Sequence, residues 1–315
     1  MHNATAFDRS HWGRIRLTGA DRVRFLHNQT TNDIAGLSAG EGCYTVFVTS
    51  TGRTIDLATT YALPESLLVI VSPGMAAQIY DWMDRYIFFS DQVSLTDESD
   101  QTFMFTVVGE GTDQIMQQMG AGDLVGREQF SHQTIRLSDL AAPISGAVGS
   151  DLVIAGYTLW GPKAQAGAVW QALLEAGAQP GDQDQWETLR IQQGRPLPHH
   201  ELTDDDNPLE AGLWQGISFE KGCYIGQETI ARLNTYKGVK KKLWGLSLAG
   251  EVAVGATILH AGEKVGKVTS ITRTPAGVLG LGYLRTKAGG EGLSVDIAGV
   301  SGEVIALPFV SHEYV

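Results

Sequence analysis

The chain opens with a short alternation of apolar and polar positions. WGRIRL, from Trp12 to Leu17, predicts a strand with one face buried. Gly19-Ala20-Asp21 then leads into RVRFLHNQTTNDI, where Val23 and Leu26 suit a short helix with Asp21 as its cap. CYTVFVTS is rich in β-formers, TGR marks a turn, and TIDLATTYAL and SLLVIVS predict two further strands. In AAQIYDWMDRYIFF the apolar residues recur at helical spacing, which predicts a helix with Pro73 at its start. A strand (QTFMFTVVG) and a helix (TDQIMQQMG) follow.

Near Asp151 the alternation returns. LVIAGYTLWG reads as a strand, Lys163 to Ala176 as a helix with Ala and Leu on one face, and DQWETLRIQQ as a helix stopped by Gly194 and Pro196. The hairpin-like pairing of strands predicts an antiparallel α+β arrangement rather than a doubly wound parallel sheet. Beyond Lys242 the helical period disappears. LWGLSL, ATILH, KVGKVTSITR, GVLGLGYL and LSVDIAG are short strands between Gly-rich turns, the pattern of a small all-β barrel. The expected division is therefore an α+β region over 1–236 and a barrel over 237–315.

Composition narrows the classes. With 43% hydrophobic and 18% charged residues, the 315-residue chain reads as a globular protein of two or three packed modules. The longest apolar stretch, Ser66 to Val71, is far too short to span a bilayer. No basic segment followed by an apolar one opens the sequence, so a cytoplasmic protein without membrane contact is the expectation. A net charge of −12 argues against a surface that grips nucleic acid throughout. Arg232, Lys237, Lys240, Lys241 and Lys242 form a local exception, either a solvated linker or a site for an anionic tail. Two cysteines, Cys43 and Cys223, give no disulfide framework, no CxxC pair and too few thiolates for a cluster of their own. Thr203-Asp204-Asp205-Asp206 lacks the spaced ligands of a calcium loop, and the adjacent His199 and His200 diverge. Both read as loop, and no metal site is expected.

FEKGCYIGQETIAR, from Phe219 to Arg232, is the stretch with chemistry in it. A nucleophilic cysteine works as its thiolate, and Lys221 brings positive charge within two residues of Cys223. Gly222 and Gly226 permit unusual backbone angles and close approach of a ligand. IGQETIAR looks like the first turns of a helix, whose N-terminal dipole favours an anion nearby. A lone cysteine is more often a small buried hydrophobe. The crowding of Lys, Gly, Gln and Glu around Cys223 favours a reactive centre there, whereas Cys43, flanked by apolar strand residues, reads as core.

Lys221-Gly222-Cys223-Tyr224-Ile225-Gly226-Gln227-Glu228 resembles the K-G-C-Y-x-G-Q-E signature of the YgfZ family, which is related to the T-protein (aminomethyltransferase) of the glycine cleavage system. Phe25-Leu26 with Thr30-Thr31-Asn32-Asp33, and Pro208-Leu209-Glu210 with Gly212, are similar to further segments of that group. The resemblance covers essentially the whole chain. It implies a ring-like T-protein fold of two folate-embracing α+β modules plus the C-terminal barrel, with tetrahydrofolate or a one-carbon derivative in the central hole. It further implies service to iron–sulfur client or assembly proteins, and to tRNA only indirectly, through thiomodifying enzymes. Cys223, Lys221 and Asp56 are then the expected reactive residues. Thr31, Asp33, Arg53, Gln192, Tyr224, Gly226, Gln227, Glu228 and Arg232 are the expected folate contacts.

Two departures weaken T-protein catalysis. A carboxylate accepts both hydrogen bonds of the pterin edge, but Arg190-Ile191-Gln192-Gln193-Gly194 places the amide Gln192 where the T-protein has glutamate. Gly52-Arg53-Thr54-Ile55-Asp56-Leu57 keeps one acid of an adjacent pair, with Leu57 in place of the other. Asp56 either acts on a folate nitrogen or is a strand aspartate facing solvent. Three functions remain distinguishable: a folate-binding accessory factor, an aminomethyltransferase, and a tRNA-binding module using the barrel and the basic stretch.

Overall fold

The computed structural model describes residues 4–137 and 141–314. In chain order it contains β1 (Thr5–Asp8), β2 (Gly13–Thr18), α1 (Arg22–Gln29), β3 (Gly42–Val48), β4 (Thr54–Ala62), β5 (Leu67–Val71), α2 (Ala76–Asp84), β6 (Ser94–Asp97), β7 (Thr102–Val108) and α3 (Thr112–Gln118). There follow β8 (His132–Ile135), β9 (Ile144–Val148), β10 (Gly156–Pro162), α4 (Ala166–Glu175), β11 (Gln179–Gly181), α5 (Gln183–Gln193) and α6 (Gln227–Thr235). The last six strands are β12 (Lys241–Leu248), β13 (Thr257–His260), β14 (Glu263–Thr274), β15 (Gly277–Arg285), β16 (Ser294–Ile297) and β17 (Val300–Ile305).

By its contacts the chain forms two compact units, Met1–Thr45 with Ala58–Gln183, and Val46–Leu57 with Asp184–Val315. The first holds a six-stranded sheet ordered β11-β1-β7-β10-β9-β8. Its core gathers Phe103, Phe105, Val107, Tyr157 and Leu159 from the strands with Ile115, Met116, Val169 and Leu173 from α3 and α4. A five-stranded sheet runs β3-β4-β5-β2-β6, and the tips of β3 and β4 belong to the second unit. All five residues of β5, LLVIV, are buried, as a continuous apolar run demands.

The second unit ends in a closed barrel, β12-β15-β14-β13-β16-β17. Its interior is filled by Leu246, Ile258, Val268, Leu284, Ile297 and Val304, each from a different strand. The α+β class and the C-terminal barrel thus follow the sequence pattern.

Three local expectations are corrected. Helix α2 begins at Ala76 rather than Pro73, because Gly74 (φ +77°) and a Met75 N–H to Ser72 O bond make a turn first. Asp21 makes no capping bond, since its carboxylate accepts the Gln92 N–H at 2.9 Å. The strand predicted from Leu152 starts only at Gly156. Asp151 (φ +62°) bends the chain to reach the buried Arg9 guanidinium at 2.6 Å and the Thr59 hydroxyl at 2.7 Å.

Candidate functional site

The site is built on the turn between β3 and β4. The Thr49 N–H donates to Arg53 O and the Gly52 N–H to Thr49 O, each at 2.8 Å, with Gly52 at φ +73°. The start of α6 lies directly on this turn. Gly226 precedes the helix at φ +82°, and a Cβ there would stand 2.6 Å from Thr49 O and 3.2 Å from Gly52 Cα. A Cβ on Gly52 would in turn meet Thr229 Cβ at 3.0 Å. The two glycines, far apart in sequence, are steric partners that seat the cysteine signature on the hairpin carrying Arg53 and Asp56.

Cys223 is a free, exposed thiol, whereas Cys43 is half-buried in β3. The Lys221 ammonium sits 5.0 Å from the Tyr224 ring centroid, a cation–π distance. Tyr224 is buried, which pushes its phenol up to about 12. Gly222 differs from Gly226. Its φ is not in the left-handed region and nothing lies within 4 Å of a Cβ built there, so the unusual backbone expected of it is absent. Gln227, Glu228 and Arg232 lie on α6, with Glu228 and Arg232 exposed one turn apart.

Asp56 is fully buried in β4, which rules out the solvent-facing reading. Thr54, two residues earlier and so on the same strand face, is also buried, and its hydroxyl has no hydrogen-bond partner among the described residues. An exposed Arg53 donates to Asp205 O at 3.0 Å. Gln192 is half-buried near the end of α5, and the turn of helix it occupies is fixed by an internal ion network. The buried Arg190 donates to Glu201 at 3.0 Å and to Ser270 Oγ at 2.9 Å, and also engages Glu187. Burial alone would lower the Arg190 pKa, but Glu201 and Glu187 together raise it.

In the first unit, Thr31 is buried and Asn32 ties its segment to β3 through the Tyr44 carbonyl at 2.7 Å. Asp33 is exposed. Its Oδ1 accepts the Gly36 N–H at 3.0 Å and lies 3.3 Å from His27 Nδ1, the work of a turn-closing residue.

The acidic run departs from the solvated turn expected of it. Asp206 is buried, lies 2.5 Å from Lys241 Nζ and accepts the Thr203 hydroxyl, while Asp204 and Asp205 are exposed. Glu210 nearby is buried too. Burial raises its pKa and Asp206 adds to this, against Lys241, the Asn207 N–H and Arg53. Of the basic stretch, Lys241 is ion-paired, and the Lys242 ammonium donates to His312 O at 3.3 Å. Sequence reasoning did not single out Thr54 or Glu201, and it placed Asp206 in a solvated loop. Only Thr54 left a trace, its two-residue spacing from Asp56.

The sequence matches the family described as "GCVT N-terminal domain" over residues 1–221. The chain belongs to this GCVT family. The match ends at Lys221, so most of the cysteine signature and the whole barrel lie beyond it. Relatives in the family include the Arabidopsis thaliana protein named "Putative transferase At1g60990, chloroplastic", 44% identical over 98% of this chain and 71% of that protein. The aminomethyltransferase of Geobacillus kaustophilus is 30% identical over 97% of the chain and 87% of its own length. The crystal structure of glycine cleavage system aminomethyltransferase T from Bartonella henselae superposes with a TM-score of 0.86 at 20% identity, covering 99% of this chain and 88% of that one. The fold is thus that of the T-protein. No helix among the described residues is long and apolar enough to cross a membrane.

Proposed function

We propose that the chain binds tetrahydrofolate, or a one-carbon-substituted form of it, and serves the assembly or repair of iron–sulfur proteins as a YgfZ-type accessory factor of the cytoplasm. The observation that carries this reading is the seating of the KGCYIGQE loop. Gly226 locks it onto the β3–β4 turn, which leaves the Cys223 thiol exposed beside a hairpin that buries Asp56.

Three side chains are of the chemical kinds that a pterin edge engages. Asp56 supplies a carboxylate, Thr54 a buried hydroxyl without a partner among the described residues, and Gln192 one amide acceptor. When bound, the folate supplies ring nitrogens that carry a one-carbon unit. The Asp56 carboxylate would accept a donor from such a nitrogen. Arg53, Tyr224, Gln227, Glu228 and Arg232 frame the neighbouring loop and helix. Cys223 is the thiolate that acts on a sulfur species or cluster brought by client or assembly proteins, or on the folate-bound one-carbon unit. The test is complementation of cells that lack this gene. Wild type and Cys43→Ser restore iron–sulfur enzyme activity, and Cys223→Ser does not. Full restoration by Cys223→Ser overturns the proposal.

A second reading, aminomethyl transfer, draws on the aminomethyltransferase relatives and the buried Asp56. Leu57 and Gln192 stand against it, since each lies where the resemblance to the T-protein places an acid. Release of ammonia and methylene-tetrahydrofolate from an aminomethylated lipoyl carrier would establish it in place of the first.

A further inference from the structure

A cavity of about 370 Å³ opens on the flank of the barrel, between strands β12, β14 and β15 and the loop at 200–206. Four cationic side chains line it, Lys241, Lys264, Lys267 and Arg285, against two carboxylates, Asp205 and Asp206. One of the four is already spent, because the Lys241 ammonium pairs with the buried Asp206 and also donates to Asp205 O at 3.1 Å. The lining therefore carries two positive charges in surplus, on a chain whose net charge is −12.

Strand register brings these side chains to one flank of the barrel. Lys241 stands directly opposite Arg285 on the antiparallel β12–β15 pair, and Lys267 is opposite Tyr283 on β14–β15. The Asp206 carboxylate offsets the like charge of the Lys241–Arg285 pair and leaves Arg285 with Lys264 and Lys267 as the cations without an acid among the described residues. Among the described residues no ion pair engages Lys264, Lys267 or Arg285, all of which are exposed at the mouth. Behind them, Thr269 lines the cavity with a buried hydroxyl that lacks a hydrogen-bond partner among the described residues. A solvated surface face has no need of a buried, unpaired hydroxyl behind its charges.

We propose that this cavity binds the phosphate of a small phosphomonoester. The charge decides among anions. A phosphomonoester carries about −1.5 to −2 at neutral pH, which matches the surplus, whereas a backbone phosphodiester or a single carboxylate leaves part of it uncompensated. Arg285 offers a planar fork and the two lysines offer point charges, the usual pairing around phosphate oxygens. Thr269 adds a neutral donor. The cavity lies at the lower end of the size range of small-molecule sites, room for a phosphorylated metabolite rather than a polymer. The proposal uses only the barrel and the 200–206 loop, so it is independent of the folate reading.

The experiment is calorimetric titration of the full chain with glycerol 3-phosphate and with inorganic phosphate, at constant ionic strength in chloride, with tricarballylate as the carboxylate probe. Saturable binding of both phosphates is expected, at least tenfold tighter than tricarballylate. The Lys264→Gln/Lys267→Gln double variant and Arg285→Gln should each weaken it at least tenfold, with circular dichroism unchanged, and Lys267→Arg should retain it. Absence of saturable binding at millimolar phosphate, equal binding by the charge-neutralised variants, or tricarballylate bound as tightly as phosphate would each overturn the assignment. Should the double variant fail to fold, Arg285→Gln and Lys267→Arg decide the matter between them.

Discussion

Replacing Gly226 by alanine tests the seating of the signature on the hairpin. Two costs follow from the structure. Gly226 sits at φ +82°, and a Cβ in the left-handed region costs roughly 1–2 kcal/mol. That Cβ would also lie 2.6 Å from the backbone oxygen of Thr49, so either the turn or the helix must shift, at a further cost of about 1–3 kcal/mol. Together the loss is on the order of 3 kcal/mol, equivalent to a fall in melting temperature of roughly 5 °C for a chain of this length. Gly222→Ala is the internal control. Nothing lies within 4 Å of its Cβ and its φ is unexceptional, so its effect should stay within about 0.5 kcal/mol. Paired urea and thermal unfolding of the two variants, followed by far-UV circular dichroism, measures the difference. Equal losses from the two substitutions, or no loss from Gly226→Ala, would refute the steric partnership of Gly226 and Gly52.

Further outcomes follow from the same geometry. Glu201→Ala strips the buried Arg190 of one carboxylate and leaves Ser270 Oγ without its acceptor, so denaturant unfolding should show a loss of about 3–5 kcal/mol. Iodoacetamide should label the exposed Cys223 well before the half-buried Cys43, read by peptide mass spectrometry; equal slow rates released only by unfolding would contradict this. His312 is held down to about 4 by burial and by Lys242, below the unfolded value of 6.5. The unfolded chain therefore binds the extra proton first, and stability is lost as pH falls from 6.5 towards 4. Partial solvent screening limits the loss to on the order of 1–2 kcal/mol, and His312→Gln should flatten that part of the pH–stability curve.

What the sequence revealed was chiefly local. β5 is an unbroken apolar run, and α4 and α5 carry their apolar faces at helical spacing, so neither needed a distant partner to be read. The barrel declared itself by short strands and Gly-rich turns. Distant pairing was invisible. Asp206 looked like one of three solvated acids because Lys241, which draws it inward, is 35 residues on. The strand expected from Leu152 gives way to a bend because Arg9, near the opposite end of the unit's sequence, captures Asp151. Gly222 and Gly226 are equivalent in the motif and become different only when the β3–β4 turn lies against one of them. Asp56 was legible as a candidate acid, but its burial, and that of Thr54 on the same face, required the sheet.

The most direct test of the folate-binding account is an anaerobic calorimetric titration with tetrahydrofolate, run beside oxidised folate, on wild type and Asp56→Asn. The account predicts saturable binding that prefers the reduced form despite Gln192. Asp56→Asn should weaken it by about ten- to a hundredfold, the value of a hydrogen bond to a charged group. No saturable binding at millimolar tetrahydrofolate, or equal affinity for the oxidised form, would contradict it.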